Sequence, residues 1–157
     1  MITNNDIMMS RLGNVFSSEN LNELEKNLNE LGLPTIPYDI TLDEMQQLLA
    51  YQGNCLSYLV THLEELKIAE KDAEDEYEKV YNDVYASINK QSSDHKVATI
   101  KTITLGNVRV KEAKEKVRKF QRMRSLVEGK IGAMEQQNVS LRKIASIKTI
   151  AISHGLE

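Results

Sequence analysis

TLDEMQQLLAYQGNCLSYLVTHLEELKIAEKDAEDEYEKVYNDVYASINK, residues 41–90, decides the fold. Thr41-Leu42-Asp43-Glu44 reads as a capping box, in which a hydroxyl and a carboxylate satisfy each other's backbone amides at a helix start. No Pro follows before Lys90, and Gly53 is the only Gly of the stretch. That glycine costs about 1 kcal/mol relative to Ala, too little to end so long a run. Leu42, Met45, Leu49, Gln52, Leu56, Leu59, Leu63, Leu66, Glu70, Ala73, Tyr77, Val80 and Val84 recur at spacings of three and four. This is the heptad rule of a supercoiled helix. At 1.5 Å per residue it predicts a rod of about 70 Å.

A second rod follows. Gln91-Ser92-Ser93-Asp94 interrupts the pattern and can cap a new helix. Ile103, Gly106, Val110, Ala113, Val117, Phe120, Arg124, Val127, Ile131, Met134, Asn138, Leu141, Ala145, Lys148 and Ile152 then keep the same alternation, and Gly155 closes it. Two rods joined by a short polar linker predict an all-α, coiled-coil-like antiparallel hairpin, with helices at about 42–90 and 94–154. Local propensity dissents between Val97 and Val110, which is rich in β-branched residues with Gly106 inside. The heptad argues for helix there, with fraying near Gly106. Gln52, Glu70, Arg124, Asn138 and Lys148 place polar groups on the stripes. Such residues either fix register or sit at splayed points facing water.

Residues 1–37 read as a small helical N-terminal subdomain, apart from the hairpin of 38–157. Thr3 can cap a short helix carrying Ile7, Met8 and Leu12, and Ser17 or Ser18 a second one. Leu21, Leu24, Leu28 and Leu31 form one apolar stripe, Gly32 supplies a stop, and Pro34 and Pro37 enforce an extended linker. No apolar run approaches the roughly 18–20 residues that span a bilayer. The polar start at Met1 has no signal-peptide character. Cys55 is the only cysteine, so no internal disulfide forms. The chain suits a reducing compartment, and the expected location is cytoplasmic.

Charge divides the chain. Up to Lys90 there are 17 acidic against 6 basic residues, and from Gln91 onward 6 acidic against 14 basic. The overall net charge of −3 conceals an acidic half and a basic half. An elongated, charge-polarised helical protein points to a partner bound along its length rather than to a pocket enzyme.

Chemistry-bearing constellations are weak. Cys55 has His62 nearby in sequence but no context that lowers a thiol pKa. His62 and Glu65 share a helix face, yet a di-metal bundle needs a repeated Glu-x-x-His arrangement, and only His62, His95 and His154 occur. No Gly-rich phosphate loop is present. The expectation is a non-enzymatic protein with no metal or other cofactor.

The basic run is the better candidate. Between Arg109 and Lys130 there are nine basic and three acidic residues. Lys111, Lys114, Arg118 and Arg122 fall on one stripe beside the apolar seam, flanked by Arg109, Lys116 and Lys119. A linear array of cations on a stiff rod suits a polyanion, because each neutralised phosphate releases counterions. The competing reading is internal pairing of the basic rod with the acidic one. Tyr81 and Tyr85 either stack single-stranded bases or pack into the core. Self-association is also expected. Leu49, Leu56, Leu59, Leu63, Val117, Phe120, Val127 and Leu141 are the seam residues available to it. Leu48, Tyr51, Cys55, Ile88, Ile147 and Ile150 extend the apolar surface beyond the seam.

Three features resemble the T4-type phage recombination mediator family (UvsY-like): Leu48-Leu49-Ala50-Tyr51 followed by Tyr58-Leu59 at the start of a long charged helix, Lys96-Val97-Ala98-Thr99-Ile100-Lys101 after the turn, and Met134-Glu135 with Val139-Ser140-Leu141-Arg142-Lys143-Ile144 near the end. The resemblance covers about two thirds of the chain, and Met1–Pro37 has no counterpart in it. It implies a homo-oligomer that binds single-stranded DNA and helps a RecA-type recombinase displace the single-strand-binding protein, in a host cytoplasm. The matching basic positions are Lys90, Lys96 and Lys101 near the turn, then Arg109, Lys111, Lys114, Arg118, Lys119, Arg122 and Arg124. Two other readings stand beside it: a coiled-coil assembly or scaffold protein, and an inhibitor that sequesters a host protein through its acidic rod.

Overall fold

The computed structural model describes residues 36–37, 39–91 and 96–155. The helices expected around Ile7–Leu12 and Leu21–Leu31, and the Ser92–Asp94 part of the turn, lie outside the described residues. All regular structure among the described residues is helical, in three helices: α1 (Leu42–Gln91), α2 (Val97–Gly106) and α3 (Val108–Ser153).

The capping box forms as its sequence dictates. The Thr41 amide donates to Glu44 Oε2 at 2.8 Å, and the Glu44 amide donates to Thr41 Oγ1 at 3.3 Å. The hydroxyl donates to the same carboxylate oxygen at 2.8 Å. These bonds hold the Glu44 carboxyl below its ordinary range, the backbone bond from Thr41 first and its hydroxyl second.

The second rod departs from expectation at both its start and its middle. Lys96, not a residue of Gln91–Asp94, is the N-cap of α2, with extended backbone and no side-chain cap bond. The β-branched stretch is helical, but the helix ends at Gly106 and a new one starts at Val108. Asn107 serves both. Its amide donates to Thr104 O at 3.1 Å and closes α2, while its carbonyl accepts from the Lys111 amide at 3.0 Å and opens α3. Its side-chain Oδ1 accepts from the Arg109 amide at 2.9 Å, the N-cap bond that asparagine makes well. Thr102 and Thr104 hydroxyls bond back to Ala98 O and Ile100 O, a habit that bends helices. The interruption resets the helical phase. Ile103 and Gly106, expected on the seam, are exposed, and Ile100 and Thr104 are buried instead. The stripe resumes at Val110. Replacing Asn107 with Ala is expected to cost about 1 kcal/mol of stability. Urea unfolding measures it, and an unchanged midpoint would contradict the capping role.

The chain divides into two compact units. One combines the described part of Met1–Leu63 with that of Ser125–Glu157. Its core includes Ile40, Met45, Leu48, Tyr51, Cys55 and Leu59 from the first segment, and Val127, Ile131, Met134 and Leu141 from the second. The Gln52 amide donates to Gln137 Oε1, and Lys148 Nζ donates to Ile40 O at 2.5 Å. The other unit is Glu64–Arg124. It buries Leu66, Ala73, Val84, Ile100, Val110, Val117 and Met123. Arg124 Nη1 meets Glu70 Oε2 at 2.8 Å, and Lys116 Nζ meets Glu76 Oε2 at 2.6 Å. Within each unit the α3 partner falls in number as the α1-side partner rises.

These bonds decide how the polar seam residues behave. Gln52, Glu70, Arg124 and Lys148 are each bonded to a residue far away in sequence, so they fix register rather than splay to water. Asn138 is the exception, with a buried Oδ1 that has no hydrogen-bond partner among the described residues. Two surface expectations change. Leu48, Tyr51 and Cys55 are buried, and Ile88 is half-buried, so they do not extend the free apolar surface. Met123 is fully buried although it lies off the expected seam.

Candidate nucleic-acid interface

The basic stripe is built by the N-terminal half of α3, inside the Glu64–Arg124 unit. Lys111, Lys114, Arg118 and Arg122 are all exposed. Their spacings of three, four and four residues keep them on one helix face. Arg118 and Arg122 both approach Glu115 of the same helix, at 3.6 Å and 3.5 Å. Lys111 and Lys114 form no ion pair among the described residues. Arg109, Lys101, Lys96 and Lys90 are also exposed, on α3, on α2, at its N-cap and in the last turn of α1 respectively.

Two other basic residues pair with acids of α1, Arg124 with a buried one and Lys116 with an exposed one. Arg124 is half-buried against Glu70, whose side chain is only 7% exposed. A buried carboxylate needs such a partner, because an unpaired buried charge costs several kcal/mol. Lys116 pairs with Glu76, and its hydrogen bond and charge hold the Glu76 carboxyl below the ordinary range. Lys119 is half-buried and engaged. Pairing between the acidic and basic helices is therefore real, and the pairs at Arg124 and Lys116 use positions outside the four-residue stripe.

Helix electrostatics point the same way. The N-terminus of a helix carries positive partial charge, so folding alone favours acids in the first turn. Neither α2 nor α3 has one, and α3 opens with Arg109 and Lys111 instead. Cations there oppose helix stability by a few tenths of a kcal/mol each, yet they add to the amide dipoles in attracting an anion.

The aromatic candidates form a ladder on α1. Tyr77 and Tyr81 have ring centroids 6.2 Å apart, and Tyr81 and Tyr85 stack at 6.3 Å with planes inclined by 19°. All three are half-buried. The expected oligomer seam is largely consumed within the chain. Leu59, Val127 and Leu141 are fully buried, Val117 is buried, and Leu49, Leu56, Leu63 and Phe120 are half-buried. Copies of the chain cannot use the same atoms without opening this packing.

Other chemistry has little foothold among the described residues. Cys55 is buried, and that burial pushes its thiol up, with a weaker opposing effect from a Tyr51 hydrogen bond. A nucleophilic thiol needs the opposite shift. His62 packs edge-on against Tyr58, with ring centroids 4.5 Å apart. Among the described residues no cluster of His, Cys, Asp and Glu is arranged to hold a metal ion, and no helix is long and apolar enough to cross a membrane.

No family model, curated protein or solved structure matches this chain.

Sequence reading missed Glu115. Its signal was present: residues three and four apart on a helix are neighbours, so Glu115 lies beside Arg118, and Arg122, two turns on along the same face, also reaches it. It lowers the stripe's net charge. Replacing Glu115 with Gln is expected to tighten polyanion binding about fivefold at 0.1 M salt, the worth of roughly one more released counterion. Fluorescence anisotropy with a labelled oligonucleotide measures it. Weaker binding would show that Glu115 orients the arginines rather than attenuating them.

Proposed function

We propose that this chain is a non-enzymatic, cytoplasmic single-stranded-DNA-binding protein that acts as a recombination mediator, assisting a RecA-type recombinase against the single-strand-binding protein. The observation that carries DNA binding is the exposed face of Lys111, Lys114, Arg118 and Arg122, with Lys111 and Lys114 outside the ion pairs formed among the described residues. The recombinase and host-cytoplasm parts rest on the resemblance of three segments to the UvsY-like family. In this reading α1 and the α2–α3 arm form an antiparallel hairpin, consistent with the opposed numbering of the bonded pairs, and the hairpin self-associates. Phosphates lie along α3, and Lys90, Lys96, Lys101 and Arg109 lengthen the track. No base is read, because the cations contact a backbone common to all sequences. Labelled oligonucleotides of equal length and different sequence should bind with similar affinity at low salt. A preference of more than about tenfold between mixed sequences would indicate base readout and contradict this mechanism.

A second reading has specific support. Glu70–Arg124 and Glu76–Lys116 show acidic and basic helices pairing within one chain. A scaffold protein would use its charges in this way. It predicts no oligonucleotide binding, and loss of assembly when stripe cations are removed.

A further inference from the structure

One face of the Glu64–Arg124 unit joins the tyrosine ladder of α1 to the cation stripe of α3. The side on which each residue falls follows from its rotation away from the buried seam, about 100° per residue. On α1 the seam runs through Ala73 and Val84, and Tyr77, Tyr81 and Tyr85 step progressively to one side of it. On α3 it runs through Val110 and Val117, and Lys111, Lys114 and Arg118 lie to one side. The pairs Glu70–Arg124 and Glu76–Lys116 have opposed numbering, so residues rotated in the same sense on the two helices share a face. Glu76 and Lys116 fix the sign. Both are rotated in the other sense, and they meet at 2.6 Å on the other face. The same pair sets the level. Tyr81 is as far beyond Glu76 as Lys111 is before Lys116, and by the same measure Tyr77 falls beside Lys114.

We infer that Tyr81 and Tyr85, with Tyr77 beside them, stack bases of the strand whose phosphates Lys111, Lys114 and Arg118 hold. This rests on the reading of the stripe as a single-stranded DNA site and adds the base-binding half of that site. The state of the rings suits it. All three are half-buried, yet their hydroxyls are not buried and form no hydrogen bond among the described residues. A tyrosine built into a core finds its hydroxyl a partner. The two arrays also share a period. Ring centroids recur at 6.2 Å and 6.3 Å, while Lys114 and Arg118 are one four-residue step apart, about 6 Å of rise. Each repeat offers a ring to a base and a cation to its phosphate. Tyr81 and Tyr85 are inclined by only 19°, so their planes succeed one another nearly in parallel. Every base has a π-face, so stacking of this kind is blind to sequence. It does select for unpaired strands, because the bases of a duplex are already stacked on one another.

Two oligonucleotides of equal length test the inference on the full chain, a homothymidine strand and a strand abasic at every position. They carry the same phosphates, and only the first carries bases. Anisotropy titrations should show the parent binding the homothymidine strand at least about tenfold more tightly, with the same salt slope for both. The Tyr81→Leu/Tyr85→Leu variant keeps apolar bulk and removes the rings. It should lose this preference and bind both strands as the parent binds the abasic one. Tyr81→Phe/Tyr85→Phe keeps the rings and should keep the preference. The chain has no Trp, so its own tyrosine emission gives a second readout, quenched by the homothymidine strand and not by the abasic one. Equal affinity of the parent for the two strands would overturn the inference and leave phosphate binding standing. A Leu variant that retains the preference, or that weakens equally toward both strands, would overturn it too. Absence of binding to either strand would overturn it together with the DNA reading.

Discussion

Replacing Lys111, Lys114 and Arg118 together with Ala should weaken single-stranded DNA binding about a hundredfold at 0.1 M salt. Each single-strand phosphate neutralised contributes about 0.7 to the salt slope, so three contribute about two decades at that concentration. The loss should be uniform across sequences, and the slope should flatten by about 2. The three side chains are exposed and off the seam, and among the described residues their only ion pair is that of Arg118 with Glu115 in the same helix. Helicity and thermal midpoint should therefore stay close to those of the parent. Anisotropy titrations measure the first effect and circular dichroism the second. A triple variant that binds normally, or one that loses its assembly state instead, would move the account to the scaffold reading.

The largest stability effect is expected at Glu70–Arg124. Glu70 is buried and Arg124 half-buried, and their bond joins residues 54 apart in sequence. Arg124→Ala removes the cation and leaves a carboxylate in the interior. Breaking a buried pair costs about 3–5 kcal/mol, and the partial exposure of Arg124 brings the expectation to about 2–3 kcal/mol. Replacing both residues with Leu should cost much less, because no uncompensated charge remains. Urea denaturation of the two single variants and the double variant measures the coupling. Additive losses would show that the pair does not act as a unit.

These predictions rest on parts of the molecule that were unequally legible. The helix of residues 42–91 could be read because two independent signals agree, the Thr41–Glu44 cap and a stripe with no exposed member. The break at Asn107 was obscured by conflict. The heptad ran through it, β-branched propensity opposed it, and the decisive Gly106-Asn107 pair acts through a side-chain cap only two residues long in sequence. A long-range period cannot detect so local a device. The polar seam residues were legible as positions but not as roles, since partners such as Gln137 for Gln52 depend on register between distant segments. Among the cations, sequence placed the stripe on one face, yet could not tell Arg124 and Lys116, engaged by Glu70 and Glu76, from Lys111 and Lys114, which have no ion pair among the described residues. That distinction comes from three-dimensional neighbours.

The parent protein's affinity for a labelled single-stranded oligonucleotide, followed across a salt series, tests the central claim most directly. Four stripe cations on four phosphates predict that log K falls against log salt with a slope of about −3, alike for different sequences. A slope near zero, or no binding at low salt, would contradict the assignment of this face to DNA.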